Sequence, residues 1–69
     1  MKAEDYEAAF HGIQLPPGPI EISQGVIVKD VPLFIEKELA ILKSSSGDRV
    51  KEPVMWRLDK LLALIDKGY

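Results

Sequence analysis

The chain has no cysteine, no asparagine and no threonine, and it carries a single histidine, His11, among its 69 residues. Without cysteine there is no disulfide, no thiolate zinc site and no cysteine nucleophile. A hydrolase built on serine, histidine and aspartate could draw only on His11 as its base. The missing asparagine and threonine leave serine and aspartate as the only strong helix N-caps. No apolar run approaches the length of a membrane span. A strong charge balance is also lacking: nine basic and eleven acidic residues leave a net charge of −2. That argues against nucleic acid as a partner, since such binders normally carry a basic face.

The opening residues, Met1-Lys2-Ala3-Glu4-Asp5, are acidic where a signal peptide would be basic and then apolar. A soluble cytoplasmic protein is the expectation. The length sets one domain, residues 1–69, and a small one. At this size the apolar surface available for burial roughly balances the cost of ordering the chain. Self-association is therefore considered from the outset.

What is present divides cleanly. Residues 3–11 predict a short helix with Glu4 and Asp5 in the first turn and His11 in the last, as the helix dipole favours. Tyr6, Ala9, Phe10 and Ile13 fall on one stripe, and Gly12 suits the position just past the helix end. Gln14 to Pro19, with three prolines, reads as a stiff extended connector. Ile20-Glu21-Ile22 and Val26-Ile27-Val28 flank Ser23-Gln24-Gly25 and predict a minimal β-hairpin lying across the helices as a lid. Asp30-Val31-Pro32 starts a second helix that should run to about Lys43. Ser44 to Asp48 reads as a loop, and Pro53 limits how far upstream the last helix extends, so it is placed at 53–67. The expected fold is mainly α: a short helix, a small hairpin, then two longer antiparallel helices, a three-helix domain with a β ornament.

On helix 53–67, Val54, Met55, Leu58, Leu61, Leu62 and Ile65 form one apolar arc. Trp56 and Ala63 lie nearly opposite its centre, and Leu64 lies further round beyond Lys60. Two readings compete for this misplaced patch. The Leu15-Pro16-Pro17 connector or the hairpin folds over the indole, or Trp56, Ala63 and Leu64 form an association face. On helix 31–43, Val31, Phe34, Ile35, Leu39, Ile41 and Leu42 make a wide apolar arc with Glu38 inside it. A carboxylate there cannot stay bare. It lies at a solvated seam, pairs with Arg57 or His11, or lines a cleft as a site residue. A charge-assisted bond from Arg57 is the expected outcome.

Chemistry beyond this is thin. The acids of the first helix are ordinary first-turn residues, and no histidine or carboxylate spacing completes a metal site. Glu36 and Glu38, two apart on a helix, point to different faces and cannot act as a paired acid and base. His11 is the one imidazole the chain could use for proton transfer, but a lone histidine at a helix end is usually a capping or surface residue. Ser44 to Ser46 lacks the glycines and lysine of a phosphate-cradling loop. Arg57, Lys60 and Lys67 alternate with Asp59 and Asp66, a mixed face rather than a basic stripe. A helix-turn-helix reading of the last two helices is weakened by their connector of seven to nine residues.

Leu15-Pro16, the run Val28-Lys29-Asp30-Val31-Pro32-Leu33-Phe34-Ile35-Glu36, then Leu39-Ala40, Pro53 and Arg57-Leu58 follow one another in a familiar order. The arrangement resembles a family of small, functionally uncharacterised domains of Bacteroidetes-type bacteria, over about Leu15 to Leu62. The resemblance implies a bacterial, cytoplasmic, stand-alone domain and brings no catalytic residues with it. Members of that family often carry His where this chain has Glu38, which fits a half-buried polar contact better than a catalytic acid. The expected function is a small non-enzymatic interaction or accessory module with no cofactor and no metal, and with a protein partner or a second copy as its target. The alternative is a nucleic-acid-associated regulator using helix 53–67.

Overall fold

The computed structural model describes residues 2–44 and 47–68. Within them run α1 (Ala3–His11), β1 (Ile20–Ser23), β2 (Val26–Val28), α2 (Val31–Ser44) and α3 (Asp48–Asp66). The mainly helical reading with a hairpin between the first two helices is the observed architecture.

α1 begins where the Lys2 backbone N–H donates to Asp5 Oδ2 at 3.0 Å, so a first-turn acid satisfies a donor ahead of the helix. At nine residues it cannot hold alone, and it is anchored by Tyr6 and Phe10, both almost fully buried. Gly12 donates its N–H to the Ala8 carbonyl with φ of −84°. That is right-handed backbone, so α1 ends without the left-handed glycine cap that its sequence suggests.

The connector needs a glycine elsewhere. Gly18 has φ of +96°, and a Cβ there would lie 2.5 Å from the Lys29 carbonyl oxygen. Only glycine lets the proline-rich segment lie against the end of β2. The hairpin is antiparallel, pairing Ile20 with Val28 and Glu21 with Ile27, with an irregularity between Glu21 and Ser23. Gly25, at φ of +79°, makes the turn. Ile20, Ile22 and Val28 are buried while Val26 and Ile27 face out, so the ribbon lays one side on the helices.

α2 is capped by Asp30, whose Oδ1 accepts the Leu33 N–H at 3.2 Å. The wide apolar arc divides. Val31, Ile35, Leu39 and Leu42 enter the core, whereas Phe34 is half-buried and Ile41 is exposed on one flank.

α3 corrects the sequence reading. It starts at Asp48, five residues before Pro53, with the Gly47 carbonyl accepting the Val50 and Lys51 N–H groups at 3.2 and 3.1 Å. A proline removes one amide donor and crowds the carbonyl four residues back, here that of Arg49. The loss is confined to one rung near the end of a long helix, and Pro53 faces solvent. Packing of Val54, Leu58, Leu61 and Ile65 on the helices and hairpin carries the rest. Three residues, 45–47, therefore connect α2 to α3 instead of seven to nine. Glu38 meets Arg57, and a turn nearer the connection Leu42 and Met55 border the same groove, so the two helices run antiparallel.

Candidate interaction surface

Glu38 is only 5% exposed, and its carboxylate is gripped by a fork. Arg57 donates through Nε to Oε1 and through Nη2 to Oε2, the latter at 3.1 Å. The hydrogen bonds to the carboxylate hold the Arg57 guanidinium above its ordinary pKa, against the opposing effect of burial. His11, the other cation considered for Glu38, instead borders a cleft between α1 and α2. Glu38 is thus engaged within the fold, while Arg57 is about a third exposed and has N–H groups beyond the two that Glu38 takes up.

A second polar contact, part-buried, joins α1 to α3: the Tyr6 hydroxyl donates to Asp59 Oδ1 at 2.8 Å. Burial, then the bond to Asp59 and its charge, push the Tyr6 phenol up to about 12. Sequence reasoning left Asp59 on the solvated side of α3. The available signal was the hydroxyl itself, because a buried tyrosine almost always finds an acceptor.

Trp56 and Ala63, seven residues apart on one stripe of α3, are both exposed, and Leu64 is half-buried beside them. Trp56 is 46% exposed, so neither connector nor hairpin covers it, and the Lys60 ammonium stands 5.7 Å from the centre of its ring. Ala63 also borders a shallow groove with Ala9, Ile13 and Leu62 toward α1. Leu64 is half-buried and packs against the core. Two further large apolar side chains are exposed, Val50 at 48% and Ile41 at 39%. Both lie close to the α2–α3 connection, which the misplaced start of α3 had concealed.

The α1/α2 cleft, about 430 Å³, has Phe10, Ile35 and Leu39 in its floor and Leu15 at its side. Glu7 and Lys43 bridge its rim with a 2.6 Å ion pair that draws the Glu7 carboxyl down and the Lys43 ammonium up from their usual pKa ranges. Among the described residues no three histidine or acidic side chains could hold a metal ion. No helix among them is long and apolar enough to cross a membrane.

The family described as "Domain of unknown function (DUF6965)" matches residues 1–67. The chain belongs to this family. The match to DUF6965 runs over α1, the hairpin and both long helices. No curated protein and no solved structure matches the chain.

Proposed function

We propose that this domain is a small non-enzymatic interaction module of the cytoplasm, docking a protein partner or a second copy through the outer side of α3 around Trp56. The observation that carries this reading is the chain's only indole, half-exposed on its longest helix with an ammonium over its ring. Tryptophan and tyrosine dominate the energetics of protein interfaces because they bury a large area at little entropic cost. Three carboxylates that could serve in acid–base chemistry are engaged within the fold instead: Glu38 with Arg57, Asp59 with Tyr6, and Glu7 with Lys43.

The test is comparative. Native lysate is passed over immobilised wild type and over Trp56→Ala, with circular dichroism verifying that both are folded. A protein retained by the wild type and lost from the variant supports the reading, and identical recoveries overturn it.

A second reading gains one observation. With three residues between α2 and α3, the long-connector objection to a helix-turn-helix no longer applies. Glu52, Asp59 and Asp66 still interrupt Arg49 and Lys60 along α3 and Lys67 at its C-terminal cap, so the face is of mixed sign. Duplex DNA binding at low salt that weakens steeply with added salt would favour this regulator; none at low salt removes it.

A further inference from the structure

The seam where α2 lies against α3 on the side away from α1 is apolar and cationic, and its own carboxylate, Glu38, is taken up by Arg57. Phe34 and Ile41 stand four residues before and three after Glu38, on its stripe of α2. Val50 and Leu64 stand seven residues before and after Arg57, on its stripe of α3. Ile41 and Val50 are exposed, Phe34 and Leu64 half-buried, and Trp56 borders the same surface through Pro53 and Lys60. A shallow groove of about 260 Å³ between β2 and α2, bordered by Ile27, Leu33, Phe34 and Lys37, continues it toward the hairpin, and the one carboxylate on its edge, Asp30, is engaged in capping α2.

Two lysines sit in this surface. The neighbours of Lys37 at three and four residues along α2 are Leu33, Phe34, Ala40 and Ile41. Those of Lys60 along α3 are Trp56, Arg57, Ala63 and Leu64. Neither lysine has a carboxylate within ion-pair distance among the described residues. The one carboxylate in the seam, Glu38, is buried beneath Arg57. An apolar strip flanked by two unpaired ammoniums and an unfinished guanidinium calls for carboxylates beside apolar side chains. A second copy presenting the same seam would set like charges together.

We infer that the α2/α3 seam docks an acidic amphipathic helical segment of another protein, its apolar side chains on Phe34, Ile41, Val50 and Trp56 and its carboxylates on Lys37, Arg57 and Lys60. This rests on the interaction-module reading and adds the chemistry of the partner. The binding mode is that of a helix laid in a groove, with anchors repeating every three to four residues.

The experiment uses a pair of synthetic helical peptides of about sixteen residues. They share one leucine stripe, flanked by glutamates in one and by lysines in the other. The full chain is titrated with each, following Trp56 emission and backbone amide NMR shifts. The expected result is a blue shift and amide changes at Ile41, Val50 and Lys60 with the acidic peptide, and affinity at least about tenfold weaker for the basic one. Lys37→Glu with Lys60→Glu should reverse that preference, and Lys37→Gln with Lys60→Gln should abolish it without reversal. Equal affinity for the two peptides overturns the inference, as do amide changes confined to the α1/α2 cleft. Concentration-dependent changes at Ile41 and Val50 in the protein alone would assign the seam to a second copy and overturn it as well. So would an oligonucleotide that displaces the acidic peptide. If neither peptide binds while Trp56-dependent capture from lysate persists, the acidic partner is wrong and the interaction module stands.

Discussion

At the scale of single residues, two part-buried polar contacts bear on the stability of this domain. Glu38 is removed from water and holds two bonds from Arg57, so deleting the guanidinium strands a charge in an apolar wall. Arg57→Ala is expected to cost about 3 kcal/mol in urea unfolding, the low end for buried pairs because Arg57 itself is partly exposed. Glu38→Leu with Arg57→Met removes both charges and should recover most of that loss. A double variant as unstable as the single one would show that lost packing, not the stranded charge, is the cause. Tyr6 supplies the second case. Its phenol, raised to about 12 in the fold, keeps its proton more tightly than in the unfolded chain. The stabilisation from that contact is complete below pH 10 and lost as pH rises through 12. Wild-type stability should therefore fall over this window, and Tyr6→Phe should flatten the fall, read by unfolding midpoints at pH 9 and pH 11.5.

At the scale of elements, local signals and their limits separate. The bounds of α1 and the Asp30 cap of α2 follow from groups within a few residues of one another, so sequence alone places them. The demand of Glu38 for a cation can likewise be read from an apolar arc without coordinates. The start of α3 is different, because treating Pro53 as a helix start overstates a cost that falls on one rung. That single displacement also hid Val50 and half of the seam. Whether Trp56 is covered depends on the course of the connector, which Gly18 fixes through its approach to the Lys29 carbonyl, a contact far apart in sequence. The proline offers a direct check. Pro53→Ala restores an N–H opposite the Arg49 carbonyl and relieves the ring, at the expense of a freer unfolded chain. The expected net gain is about 1 kcal/mol with a rise in helical circular dichroism. A loss of stability would show that the ring packs usefully in the surface between Val50 and Arg57.

At the scale of the whole molecule, the accessible surface of 4757 Å² is larger than the roughly 4,300 Å² expected for a folded chain of this mass. The flattened outline, 32 × 27 × 18 Å, accounts for the excess, since two helices and a ribbon over a third make a thin core. Such a molecule has little stability to spare, yet it leaves Ile41, Val50 and Trp56 uncovered. If those side chains were there to stabilise the fold they would be buried, as Leu58 and Leu61 are. Stability and docking should therefore respond to different substitutions. Leu58→Ala opens a cavity at a fully buried site and is expected to cost about 3 kcal/mol, close to the whole reserve of a domain this small. Ile41→Ser with Val50→Ser alters exposed sites and should stay within about 0.5 kcal/mol of wild type. The same double variant should lose whatever the Trp56 face captures. Thermal unfolding beside the lysate comparison separates the two: a double variant that melts with the wild type but retains no partner places the function in the exposed seam, and one that melts early assigns those side chains to the core.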